Sequence, residues 1–96
     1  MMDLIGKDVI YEFQKKHPKS KKPLNRWLEL ISSCIAKHPM DLRQTFGSVD
    51  PVPPQTVFDV AGNDYRIITE IDYSTGTIIV THVLTHQEYD KGKWRS

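Results

Sequence analysis

Apolar residues in this chain keep two rhythms, helical in the first half and strand-like in the second. Residues 2–5 have the make-up of a short first strand, which Gly6 breaks; Val9, Ile10 and Phe13 then supply the buried face of a helix beginning around Lys7. His17-Pro18 ends that helix, because the residue before a proline is pushed out of the α region. Ser20 is placed to N-cap a second helix, with Pro23 tolerated in its first turn. Leu24, Trp27, Leu28, Ile31, Cys34 and Ile35 recur at spacings of three and four, one helical stripe that Lys37-His38-Pro39 stops. Asp41 to Phe46 reads as one more short helical turn before Gly47.

The texture then changes. Val49-Asp50-Pro51-Val52-Pro53-Pro54 is too rich in proline for a central strand and reads as a connector. Beyond it, residues 56–60, 65–71 and 77–84 are β-branched and aromatic, separated by Gly62-Asn63 and Ser74-Thr75-Gly76, which read as hairpin turns. The expected fold class is α+β: two N-terminal helices packed on an antiparallel sheet, made of a three-stranded meander plus the short N-terminal strand. Neither layer hides its apolar side alone. A short helical tail follows the last strand, where Thr85 serves as N-cap and Glu88, three residues on, completes a capping box.

With 96 residues the chain is expected to form one domain, 1–96. No apolar run approaches the roughly 18 residues a membrane helix needs. The N-terminus lacks a basic region followed by an apolar stretch, so a cytoplasmic protein without membrane contact is expected. Cys34, the single cysteine, falls in the apolar stripe and reads as a core residue. The net charge of +1 hides an asymmetry: residues 1–50 carry nine Lys/Arg against six Asp/Glu, while residues 51–96 carry four against six. Lys15, Lys16, Lys19, Lys21, Lys22 and Arg26 hold most of the excess. Such a cluster attracts a phosphate backbone through counterion release, and it equally suits a solvated turn between helices.

Proton-transfer groups, cations and an aromatic gather where the last strand ends, in Thr85 to Trp94. In a meander the start of one strand meets the end of the next, so Arg66 and His86 should be neighbours. Tyr89 and Lys93 lie three and seven residues beyond His86, on one side of the tail if it coils as a helix. These groups fit metal-free RNA cleavage, in which a 2′-hydroxyl attacks the adjacent phosphate, a route closed to DNA. Arg66 and Lys93 would neutralise the pentacoordinate phosphate, and the arginine fork matches two oxygens. His86, with a free pKa of about 6.5, suits general acid or general base. Tyr89 would orient the hydroxyl or stack on a base. Duller roles stand beside these: Arg66 as a salt-bridge partner, His86 as part of a helix cap, Trp94 as the packing residue that fastens the tail. The four-residue spacing of His82 and His86 is a poor zinc signal, because His82 lies in a strand and no metalloprotease glutamate intervenes. Ser32, Ser33 and Cys34 sit in a helix, not in a nucleophile elbow. No metal or cofactor is called for.

Two blocks resemble the HigB toxins of type II toxin–antitoxin systems, a branch of the RelE-like superfamily. Thr56 to Arg66 is similar to the family's V-F-N-I-G-G-N-K-Y-R segment, and Val83 to Trp94 to its V-L-T-H-A-E-Y-D-K-G-K-W ending. Leu42-Arg43-Gln44-Thr45-Phe46 fits L-R-A-T-F more loosely. The resemblance implies a ribosome-dependent endoribonuclease cutting translating mRNA, restrained by a cognate helix-turn-helix antitoxin of the HigA type. Arg66 matches the family's Tyr-Arg position, and His86, Tyr89 and Lys93 its C-terminal block. Contacts to RNA and the ribosome then fall to the basic cluster together with Asn63 and Lys91. Asp64 stands where the family commonly has lysine, and Thr81 where a strand arginine is common. Superfamily relatives place lysines before the Gly-Asn turn; Asp59 and Ala61 here exclude a lysine base and shift weight to His86. The fewer cations keep a rival open, a non-nucleolytic binding protein on the same scaffold, either a gyrase-poisoning relative or an inactive toxin.

Overall fold

The strands foreseen in the second half form the centre of a larger, mixed sheet. The computed structural model describes residues 3–62 and 64–95. Strand β1 (Asp3–Ile5) leads into helix α1 (Lys7–Lys16), a 3-10 turn (Pro18–Ser20), α2 (Lys21–Ser33) and α3 (Pro39–Thr45). Then come β2 (Val49–Val52), β3 (Gln55–Val60), β4 (Tyr65–Asp72) and β5 (Thr77–Thr85), followed by α4 (His86–Asp90) and a 3-10 turn at Lys93–Arg95. The sheet order is β1-β5-β4-β3-β2, antiparallel except for β1, which runs parallel to β5.

Several expectations are corrected here. The proline-rich segment expected to be a connector is the edge strand β2, hydrogen-bonded to β3 alone. An edge strand answers to one neighbour, so Pro51 is tolerated there. The sheet therefore has five strands, and α3 is a helix in its own right rather than a single turn, burying Leu42 completely. Helix α2 ends at Ser33, so Ile35 leaves the apolar stripe and stands exposed, while Cys34 is buried. Ser20 occupies the N-cap position but does not cap: its Oγ donates to the His17 carbonyl at 2.6 Å. At the start of α1, Gly6 has φ +99°, and a Cβ there would sit 2.5 Å from the Val80 carbonyl oxygen. Only glycine lets the chain turn from β1 into α1 so close to β5.

The two sheet faces are unequal. Ile10, Phe13, Leu24, Trp27 and Ile31 of α1 and α2 pack on Phe58, Val60, Ile67, Ile78, Val80 and Val83, which is the main core. On the opposite face Val57 and Ile68 pack with Trp94 from the tail, flanked by Leu84 and Tyr89. Gly92, at φ +72°, folds the tail back for this, and the Tyr89 carbonyl accepts from both the Gly92 N–H (3.1 Å) and the Trp94 Nε1 (3.0 Å). Trp94 is thus the fastening residue expected of it. No helix among the described residues is long and apolar enough to cross a membrane.

Candidate active site

The face opposite the helices acquires its chemistry from strand alternation and one bulge. On β3 and β4, Phe58 and Ile67 face the main core, so their neighbours Asp59 and Arg66 face the other way, paired directly across the ladder. On β5 the register with β4 slips between Ile68 and Thr69, leaving Thr81 as the extra residue. The bulge reverses the parity of β5, so that Val80 and Val83 both enter the core and Leu84 is delivered to the Arg66 face. Thr81 closes the bulge by donating its Oγ1 to the Ile68 carbonyl at 3.2 Å.

Arg66 is the hub of this face. Its Nε lies 2.9 Å from Asp59 Oδ1, its Nη1 donates to the Tyr65 carbonyl at 3.2 Å, and its Nη2 is 3.4 Å from His86 Nδ1. The guanidinium carbon sits 5.2 Å from the centre of the Tyr89 ring, within cation–π range. The arginine side chain is 9% exposed and that of Asp59 27%, so the guanidinium is largely withdrawn from water while the carboxylate that orients it keeps some solvent contact. Tyr89 in turn stacks on Trp94, rings 5.0 Å apart and 13° from parallel. Arg66 is thus the ion-pair partner that its residue type allowed, and it lies beside the histidine as the meander requires.

His86 opens α4. Thr85 caps the helix as expected, accepting from the Glu88 N–H at 3.2 Å while Glu88 Oε1 accepts from the Thr85 N–H at 3.0 Å. The His86 N–H donates to the Asp64 carbonyl at 3.0 Å, which ties α4 to the turn before Arg66. Asp64 serves here through its main chain, a role open to any residue. On the other side of the ring, His86 Nε2 lies 3.2 Å from Asp90 Oδ2.

The structure brings Arg66, His86 and Tyr89 together. Lys93 lies beyond α4, in the closing 3-10 turn, so it does not continue the helical face that carries His86 and Tyr89. With Lys91, His82, Leu84, Glu88 and Trp94 it lines an adjoining cavity of about 280 Å³. The basic cluster divides. Lys19, Lys22 and Arg26 line a broad cleft of about 690 Å³ with Ala61, next to the β3–β4 turn that leads into Arg66. Lys16 lines a small groove with His17, Val83 and Glu88, Lys15 pairs with Glu12 at 3.4 Å, and Lys21 is exposed. Asn63 lies outside the described residues. Among the described residues no group of three or more His, Cys, Asp or Glu is arranged to hold a metal ion.

Sequence reasoning missed two carboxylates. Asp90 was signalled by its four-residue spacing from His86 in a helix. Asp59 follows from the hairpin: with Val60 opposite Tyr65, Asp59 must oppose Arg66.

Known proteins resemble this chain along most of its length. The chain is 29% identical over 93 residues to a protein described as mRNA interferase HigB from Escherichia coli O6:H1, covering 94% of this chain and 90% of that one. It is 28% identical over 92 residues to an mRNA interferase toxin HigB of E. coli K12 and to an mRNA interferase HigB of Shigella flexneri, covering 93% of this chain and 88% of each. Residues 20–92, which include the β3–β4 hairpin, the Arg66–His86 pair and α4, match the model of the HigB toxins, RelE-like toxic components of toxin–antitoxin systems, and the chain belongs to that family.

Proposed function

We propose that this toxin is an endoribonuclease that cuts mRNA on the ribosome by metal-free acid–base chemistry. The observation that carries the reading is the 3.4 Å approach of the buried Arg66 guanidinium to the half-exposed His86 imidazole. A phosphodiester seated at that junction would meet a fork-shaped cation and a proton-transfer group together. Attack by the 2′-hydroxyl would leave a cyclic phosphate and a free 5′-hydroxyl. Arg66 stabilises the charge on the phosphorane, His86 moves a proton, and Tyr89 orients the ribose or stacks on a base. Lys93 and Lys91 in the adjoining cavity supply further positive charge, and Lys19, Lys22 and Arg26, with Lys15, Lys16 and Lys21, contact ribosomal or messenger phosphates.

Charge supports ribosome dependence. The chain is barely cationic, and its key arginine is already matched by Asp59 at 2.9 Å, so naked RNA gains little by binding. The names of the relatives, mRNA interferases of E. coli and S. flexneri, support RNA as the substrate. We place this activity in the cytoplasm, in a chain acting as one domain, with a HigA-type helix-turn-helix antitoxin as its cognate partner; membership in a toxin–antitoxin family supports an antitoxin.

Primer extension on naked mRNA and on translating ribosomes tests the reading. New 5′ ends should appear on ribosomes and be weak or absent on free RNA; equal cleavage of both refutes the dependence. The Asp59 pair also favours the rival, a non-nucleolytic toxin, because it neutralises the main cation. Growth arrest without any new mRNA ends would select that rival.

A further inference from the structure

We infer that His86 accepts the 2′-hydroxyl proton at Nδ1, and that Asp90 is the positioning residue that reserves this atom by holding the proton of the neutral ring on Nε2. The inference rests on the nuclease reading above and decides which partner in proton transfer the histidine is.

The argument is one of donors and acceptors. A guanidinium has N–H donors and no acceptor, so where Arg66 Nη2 faces Nδ1 at 3.4 Å, that nitrogen must offer its lone pair. A neutral imidazole with its lone pair on Nδ1 carries its proton on Nε2, and Nε2 faces the Asp90 carboxylate at 3.2 Å, which is acceptor-only. Both neighbours therefore select one tautomer. The side chains of His86 and Asp90 are 50% and 59% exposed, so the pair contributes little to stability. Its consequence is orientation, as when a carboxylate on one imidazole nitrogen dedicates the other to chemistry.

The nitrogen left for chemistry points at the cation that would hold the phosphate. A contact of 3.4 Å is at the long end for a hydrogen bond, so a substrate hydroxyl can replace it. The 2′-oxygen then forms its bond to phosphorus as its proton passes to Nδ1, and the bond from phosphorus to the 5′-oxygen breaks. The leaving 5′-oxygen takes a proton from water at the half-exposed rim, and the imidazolium returns its proton to solvent.

The test pairs a spectroscopic with a kinetic readout. In protein labelled with 15N-histidine at a pH where His86 is neutral, its Nε2 should resonate as a protonated nitrogen and its Nδ1 as a bare one; Asp90→Asn should mix the tautomers without changing the melting temperature. On programmed ribosomes Asp90→Asn should lower kcat by roughly 10- to 100-fold with KM little changed, and Asp90→Glu should recover part of the loss. A wild-type ring protonated at Nδ1, or Asp90→Asn cleaving at the wild-type rate, overturns the inference. If the wild-type protein cleaves nothing while the tautomer preference holds, the nuclease reading falls and the base assignment with it, leaving Asp90 only as the group that sets the tautomer.

Discussion

Arg66 Nη2 and His86 Nδ1 lie 3.4 Å apart although twenty residues separate them in the chain. The hairpin makes this contact. Tyr65 at the start of β4 pairs with Thr85 at the end of β5, so Arg66, next on β4, and His86, the first residue of α4, lie at the same corner of the sheet. Arg66→Ala should reduce ribosome-dependent cleavage by about 10²- to 10³-fold, the usual consequence of removing one preorganised charge at a reacting centre. Arg66→Lys should restore little, since an ammonium keeps the charge but lacks the fork. Primer extension with purified ribosomes reads both.

Asp59 sits across the ladder from that arginine and holds its Nε at 2.9 Å. Asp59→Ala should destabilise the protein by about 1–3 kcal/mol, because it removes the carboxylate from a largely desolvated guanidinium. Asp59→Asn should cost less, as the amide oxygen still accepts from the guanidinium. Denaturant titration of the three proteins gives the order directly.

Trp94 covers Val57 and Ile68 and is 4% exposed. Trp94→Ala should cost about 3 kcal/mol or more by emptying this satellite core. It should also lower cleavage, because Tyr89 loses the ring it stacks on and α4 loses its anchor. Trp94→Phe should retain most of the stability, which thermal melts would establish.

Two surface carboxyls make stability fall in acid. The backbone N–H of Lys37, with that of His38, holds the Asp41 carboxyl below its ordinary value of 3.8, and the Ser74 hydroxyl, with backbone N–H groups of Ser74 and Thr75, does the same for Asp72. Their folded values are depressed, so the stabilisation is complete above 3.8 and lost as pH falls through the folded values. Asp41→Asn and Asp72→Asn should each flatten the decline of melting temperature below about pH 4. A slope unchanged in both variants would remove these turns as its source.

Everything the sequence by itself determined about this protein is local or nearly so. The three-and-four spacing from Leu24 to Ile31, the capping box of Thr85 and Glu88, and the strand runs at 56–60, 65–71 and 77–84 depend on residues within a turn or a hairpin of each other. The Arg66–His86 approach belongs here too, since a meander dictates it once the strands are known. Tertiary structure alone decided that Val49–Val52 pairs as an edge strand despite its prolines, that β1 joins in parallel, and that Ile35 falls off the end of a shortened helix. It also placed the bulge at Thr81 that turns Leu84 toward the site. These choices turn on which of several partners a backbone edge finds across the fold, and a ladder's energy lies in the pairing rather than in either strand. The groups around the site divide too: residue types name the cation and the imidazole, one local helical turn brings Asp90 to His86, and the β3–β4 register brings Asp59 to Arg66.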